Sequence, residues 1–176
     1  MRAIKLYIAT SLDHYIARPN GSVDWLESFP NPDGNDYGYQ DFLNTIDTTL
    51  MGHNAYKEIL GFDIPFPYLD KKNYVFTRRY DIAKAAFVEF VNKDVVSFVQ
   101  NLKQQAGKDI WLIGGGQLNT VLLNADLIDE MIITIVPIIL GEGIPLFAPG
   151  TKESIFQLIH SQAFPSGMVQ MSYKLG

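Results

Sequence analysis

The chain has no cysteine among its 176 residues. That excludes disulfides, thiolate metal sites and cysteine nucleophiles, and it suits a reducing compartment such as the cytoplasm. Histidines are scarce: His14, His53 and His160 stand far apart and form no His-x-x-x-His pair, so no metal site is expected. Positive charge is in deficit, with 14 Lys and Arg against 19 Asp and Glu, and no basic stripe offers a surface for nucleic acid. Long apolar runs are missing as well. The longest, Met131 to Leu140, carries Thr134 and Pro137 and is about half the ~20 residues of a membrane span. The opening MRAIKLYIAT is too short and too alternating for a secretory signal. Neither a GxSxG elbow nor a GxxxxGK[ST] loop occurs, which leaves hydrolase and P-loop chemistry without support.

What remains is ordinary for a globular chain: 47% hydrophobic and 19% charged residues, enough to bury one sizeable core. No repeat or linker interrupts it, so a single domain over 1–176 is expected. Alternation of Ile4, Leu6 and Ile8 with Lys5 and Tyr7 predicts a first strand over 4–9. A long polar stretch, 10–35, follows. A helix is expected over 37–46, a short strand at Leu50-Met51, and a helical turn over 54–59. Strands are expected over 73–77 and 87–91, then a helix capped by Asp94, with Val95, Val99, Leu102 and Ala106 on one face and Gly107 as its stop. Later come a strand over 130–136 and a hairpin of 156–163 with 168–174 around Pro165-Ser166-Gly167. Alternating strands and helices imply an α/β fold, a mainly parallel sheet covered on both faces with an antiparallel end.

The most informative run is DIWLIGGGQLNTVLL, 109–123, an apolar strand entering three glycines and then a helix. Glycines let backbone approach a ligand, and the helix start presents free N–H groups with the positive end of its dipole. A phosphate fits such a place; a tight turn needing glycine only for packing reads the same way, and the spacing is not GxGxxG. A second junction of this kind is Thr49-Leu50-Met51-Gly52-His53-Asn54, and Thr77-Arg78-Arg79 ends a third strand in a hydroxyl and two guanidiniums. Two such junctions at strand ends suit the two halves of a dinucleotide, with arginine for a phosphate monoester.

LMGHNAYKEI, NYVFTR and DIWLIGGGQL occur in the order found in the dihydrofolate reductase fold. KLYIATSLDHYIARPNGSVDW and PIILGEGIPLF resemble the C-terminal reductase domain of the bifunctional riboflavin-biosynthesis deaminase-reductase and its stand-alone relatives. The resemblance covers nearly the whole chain. It implies a three-layer α/β/α domain that uses NADPH to reduce a pterin- or pyrimidine-like heterocycle. Its nearest alternatives are the 5-amino-6-(5-phosphoribosylamino)uracil reductase step and a nucleotide-binding module without efficient catalysis. It places Ala9 beside the nicotinamide, Trp25 over the cofactor, and Gly52, His53 and Asn54 at the pyrophosphate. Thr77 and Arg78 fall at the adenosine 2′-phosphate, and Gly114, Gly115, Gly116, Gln117 and Leu118 form a second phosphate cradle.

Departures from that pattern are specific. His53 stands where arginine is usual, Ala55 where threonine is, and His14 where glycine is. Leu112-Ile113 replaces an acidic residue ahead of the glycine turn. For the acceptor, Asp36 is the first candidate to orient or protonate a heterocycle. It stands 16 positions ahead of Gly52, as the substrate carboxylate of dihydrofolate reductases does, and it reads equally well as a helix N-cap. Asp33 and Asp41 compete with it. Asp13 is the second candidate, with a turn-forming role as its alternative. The apolar stretch Met131 to Leu140 suggests a homodimer, and a buried strand would give the same pattern.

Overall fold

A computed structural model describes residues 1–176. In chain order the elements are β1 (Ile4–Thr10), β2 (Tyr15–Ala17), α1 (Asp24–Glu27), α2 (Tyr39–Thr45), β3 (Ile46–Gly52) and α3 (His53–Gly61). There follow β4 (Lys72–Phe76), β5 (Val88–Val91), α4 (Val95–Gln104), β6 (Asp109–Gly114), α5 (Gly116–Asn124) and β7 (Glu130–Ile135). The chain ends with β8 (Ile144–Pro145), β9 (Phe156–Ala163) and β10 (Val169–Leu175). Eight strands form one sheet in the order β5-β4-β3-β6-β1-β7-β10-β9, and β2 pairs with β8 in a small second sheet. The first six strands of that order run parallel; β10 is antiparallel to both β7 and β9. This is the expected three-layer α/β/α architecture with an antiparallel C-terminal hairpin.

Side-chain alternation sorts the strands' residues between two helical layers. Ile4, Leu6, Leu50, Ile110 and Leu112 face α4 and α5, meeting Val99, Leu102, Leu118 and Leu122 in a buried cluster. The opposite face carries Met51, Val75 and Trp111 against Phe42 of α2 and Tyr56 and Ile59 of α3. A third cluster, Trp25, Val136, Phe164 and Met168, closes the β7–β10 end on that second side.

Three readings change. β3 begins at Ile46, where the sequence suggested a helix running to that residue and only a two-residue strand. Ile46, Thr48 and Thr49 are β-branched and buried, and the Thr49 hydroxyl donates to Asn73 Oδ1 at 2.7 Å, which tertiary contacts alone reveal. α2 is correspondingly shorter, 39–45. Met131 to Leu140 begins within β7, which lies inside the sheet between β1 and β10. Met131, Thr134 and Val136 in the stretch are buried while Ile139 is exposed, so its place in the sheet accounts for part of the apolar character that suggested a homodimer. No helix is long and apolar enough to cross a membrane.

Candidate functional site

The parallel strands end together on one rim, where β3 and β6 are direct neighbours: Met51 is in register with Gly114. The two glycine junctions therefore sit side by side. A Cβ built on Gly52 would find only the Gly114 carbonyl oxygen within 4 Å, at 3.6 Å, so no side chain fills the space between them. Behind each junction starts a nine-residue helix with no side-chain cap, α3 after Gly52 and α5 after Gly115. The first N–H groups of both have no acceptor within their own helix and point at this rim.

The three glycines serve different ends. Gly114 and Gly115 have φ of +112° and +100°, which L side chains rarely adopt, and Gly115 has nothing within 4 Å of its missing Cβ. Gly116 is closed by packing instead: a Cβ there would lie 2.4 Å from the Pro145 carbonyl oxygen. The segment carrying Pro145 is fastened to α5, since Asn119 Nδ2 donates to Leu146 O at 2.9 Å and Ala148 N–H to Thr120 Oγ1 at 2.8 Å. One glycine thus faces the crevice openly while its neighbour admits the adjoining loop.

One strand further out, β4 ends at Thr77-Arg78-Arg79. Arg78 is exposed and reaches Gln117 on the first turn of α5, Nη2 to Oε1 3.5 Å, across β3 and β6. The Thr77 hydroxyl accepts the Arg79 N–H at 3.1 Å. His53 opens α3 with its Nδ1 buried and unpartnered. Burial first, then the charges of Lys57 and Arg79, hold its pKa below the ordinary histidine value, so it is neutral near pH 7. Asn54 is exposed beside it, whereas the Leu118 side chain is core, leaving only its backbone N–H for the crevice. A cavity of about 310 Å³ lined by Arg79, Tyr80, Val88 and Phe90 adjoins this cationic end. The donors, the positive-φ glycine and the guanidinium fit a phosphate-bearing dinucleotide.

On the other side of β6, Ala9 is half-buried near the end of β1 and in register with Thr134 of β7, which is paired with Gln170 of β10. These three make one row across the sheet. Gln170 Nε2 donates to Thr134 Oγ1 and to the Tyr37 carbonyl, both at 3.0 Å. The Tyr7 hydroxyl donates to the same carbonyl at 3.0 Å. Its pKa is pushed up to about 12, mostly by burial, although Gln170 opposes the shift and Asp36 adds to it. Tyr37, held at φ +56°, meets Phe164 edge-on and donates its hydroxyl to Ser166 at 3.2 Å. Sequence reasoning passed over Tyr7, Thr134 and Gln170 as site residues, and weighed Tyr37 only as a ring for a flat heterocycle to stack on. Thr134 inside an apolar run was the one available signal.

Three expected site residues take other positions. Trp25 is 3% exposed within the third cluster and anchors its loop, so it presents no face to a ligand. Asp36 is exposed, and its two oxygens accept the N–H groups of Gly38 at 3.0 Å and Gln40 at 3.1 Å; it stands two residues ahead of the N-cap, Gly38, and fastens the turn that enters α2. Asp13 accepts from the Ser11 hydroxyl at 2.6 Å and from the N–H groups of Leu140 and Gly141 at 3.1 and 2.7 Å. Those hydrogen bonds, the Ser11 one first, bring its pKa down to about 2. Asp13 ties the loop after β1 to the segment after β7, and neither of its oxygens is left for proton transfer.

The same fold and family recur among known proteins. The profile of the RibD C-terminal domain matches residues 69–170. YwjB of Bacillus subtilis (strain 168), itself uncharacterized, is 41% identical over 172 residues, covering 98% of this chain and 97% of its own. A putative riboflavin biosynthesis protein from Shewanella sp. PV-4 superposes with a TM-score of 0.87 at 33% identity over 99% of each chain. A diaminohydroxyphosphoribosylaminopyrimidine deaminase/5-amino-6-(5-phosphoribosylamino)uracil reductase from Thermotoga maritima shares the fold, TM-score 0.73 at 16% identity, with 99% of this chain over 57% of that one. With a profile match over more than half its length and full-length relatives above 30% identity, this chain belongs to the RibD C-terminal domain family.

Proposed function

We propose that the protein is an NADPH-dependent reductase acting on a pyrimidine-type heterocycle of the riboflavin kind. The observation carrying this reading is the adjacency of Gly52 and Gly114–Gly115 at the ends of neighbouring strands, each backed by an uncapped helix start. From β4 to β1 there are three inter-strand gaps, about 14 Å at ~4.8 Å each, the reach of an extended dinucleotide. Phosphates then meet the N–H groups of α3 and α5, Arg78 with Thr77 takes a 2′-phosphate, and Ala9 leaves room for a flat ring. Bound there, NADPH supplies the hydride, and the protein's task is to position the acceptor. Membership of the family and the activity of the Thermotoga maritima neighbour favour an aminopyrimidine over dihydrofolate.

The proton that accompanies reduction reaches the acceptor from the solvent side, where exposed Asp36 lies close enough to Tyr7 to influence its ionisation. Asp36→Asn keeps one of the two hydrogen bonds, because the amide nitrogen cannot accept, so a loss of turnover well beyond the loss of stability would isolate its charge. The direct test is a fluorescence titration with NADPH. Saturable binding is expected, with turnover of the aminopyrimidine above that of dihydrofolate; no binding at millimolar cofactor would identify a module that keeps the fold without the chemistry.

A further inference from the structure

Side-chain alternation gives the C-terminal end of the sheet one apolar and one polar face. Along β10, Val169, Met171, Tyr173 and Leu175 point to one side, and Gln170, Ser172 and Lys174 to the other. The Tyr173 hydroxyl donates to Met171 Sδ at 3.2 Å, which joins both on the first side. Register carries the division to the neighbouring strands. On β7, Ile133 and Ile135 are paired with Met171 and Val169, whereas Ile132 and Thr134 are paired with Ser172 and Gln170. On β9, Ala163, Ser161, Leu158 and Phe156 fall on the apolar side, and Gln162, His160 and Gln157 on the polar one. The carboxylate and the ammonium of these three strands, Glu130 and Lys174, are in register with each other on the polar side.

The apolar side is that of α4 and α5, since Ile133 and Phe156 pack against the cluster those helices complete. The helices do not extend over it. α5 lies against β3 and β6 with α4 beside it, while β7, β10 and β9 make their main contacts with one another and with β1. Leu158 is accordingly 52% exposed and Val169 37%; Ser161 and Ala163 are exposed, and Met171 and Tyr173 only half-buried. This strip is three strands wide and leaves on the order of 500 Å² of mainly apolar surface in water, so two copies face to face bury about the 1,000 Å² that a stable interface must clear.

A face without charge can meet its own twofold image, because no like charges are brought together at the axis. Its relief also suits a second copy: rows pair a large residue of β10 with a small one of β9, Met171 with Ser161 and Val169 with Ala163. The free edge of β9 is a poorer place to join. Its register slips between Ser172 and Tyr173, leaving Ile159 out of the pairing, and such a bulge opposes continuation of the sheet by a further strand.

We infer that the protein is a homodimer in which the apolar β7–β10–β9 faces of two copies pack together as a two-layer sandwich, the sheets about 10 Å apart. The large residues of β10 in one copy seat on the small residues of β9 in the other. Ala9, Thr134 and Gln170 share the opposite face of the sheet, so both crevices stay open outward.

Sedimentation equilibrium of the whole chain at micromolar concentration tests this. The mass should be twice 19.8 kDa and should persist at high salt, because apolar burial is not screened. Leu158→Glu and Ser161→Lys each put a charge where the partner would desolvate it, and each should weaken the dimer by about a hundredfold or more. Both side chains are exposed in the single chain, so circular dichroism should remain that of the parent; if Leu158→Glu fails to fold, Ser161→Lys decides. Gln162→Glu, on the polar face of the same strand, should leave the dimer intact. A monomeric mass for the unaltered protein, or a dimer indifferent to both apolar-face variants, overturns the inference. A dimer that Gln162→Glu disrupts equally is joined through the β9 edge, which overturns it as well. None of these masses depends on cofactor binding.

Discussion

At the scale of single residues, the rim separates groups that bind from groups that hold. Arg78 is exposed and touches only Gln117, so Arg78→Ala should cost little stability while weakening NADPH binding by about tenfold or more and NADH hardly at all. Paired cofactor titrations check this, and equal loss for both would remove Arg78 from the 2′-phosphate. His53, neutral and with an unpartnered ring nitrogen, is a weak anion ligand until protonated. Because its pKa is lowered, NADPH affinity should rise only as pH falls below the ordinary histidine range, and His53→Arg should abolish that dependence. Asn73 does the opposite kind of work at the foot of β4. Its amide donates to the carbonyls of Tyr68, Lys71 and Phe87 and its oxygen accepts from Thr49, all buried or nearly so. Asn73→Ala leaves those groups unpaired and should cost about 2–4 kcal/mol in chemical denaturation, without affecting the Kd for cofactor.

Among the elements, the junction between β6 and α5 shows how glycines of one motif divide their duties. Gly115→Ala meets no neighbour, so its cost is backbone strain of about 1–2 kcal/mol, and it places a methyl group in the crevice where binding should suffer. Gly116→Ala drives a carbon into the Pro145 carbonyl, so the segment around β8 must shift or the protein loses several kcal/mol. Thermal melts with and without NADPH separate the two: Gly115→Ala should lose most of the cofactor-induced stabilisation, Gly116→Ala most of the basal stability. The same contrast marks what a sequence reveals. The strand–glycine–helix junctions, α4 with its Asp94 cap, and the terminal hairpin were legible because they are local: a period, a cap residue, a turn dipeptide. β2, α1 and β8 were not, since two- to four-residue elements carry no periodicity and exist through distant pairing, Tyr15 with Pro145 and Ala17 with Ile144. Trp25 and Asp36 failed to be distinguishable for a related reason. A tryptophan over a ligand and one under a loop have the same neighbours in sequence, and a carboxylate that fastens a turn differs from a substrate carboxylate only in what approaches it.

For the molecule as a whole, burial of tyrosine on one sheet face sets a limit on stability at high pH. Tyr7 stacks on Phe42 at 4.4 Å between ring centroids, while Tyr39 and Tyr68 both meet Trp111 edge-on at 5.9 and 5.2 Å. Desolvation is the leading cause in all three and raises each hydroxyl above the ordinary 10.0, Tyr7 to about 12 and Tyr68 further still. A folded-state pKa above the unfolded one means that the neutral form is favoured by folding. Stability is therefore whole below pH 10.0 and falls as pH rises toward and beyond 12, because the unfolded chain gives up those protons first. The denaturation midpoint should accordingly hold steady through neutral pH and drop steeply in that alkaline window. Ultraviolet tyrosinate absorbance should show five of the nine tyrosines, Tyr56 and Tyr74 together with these three, ionising late, as the fold is lost. Tyr7→Phe removes one titrating group along with its bond to the Tyr37 carbonyl, so it should lower stability at neutral pH by about 1 kcal/mol yet flatten the alkaline decline. A variant that declined as steeply as the parent would mean that Tyr7 ionises as readily in the fold as in the unfolded chain, and that the cover formed by Tyr37 over the Ala9–Thr134–Gln170 row is open to water.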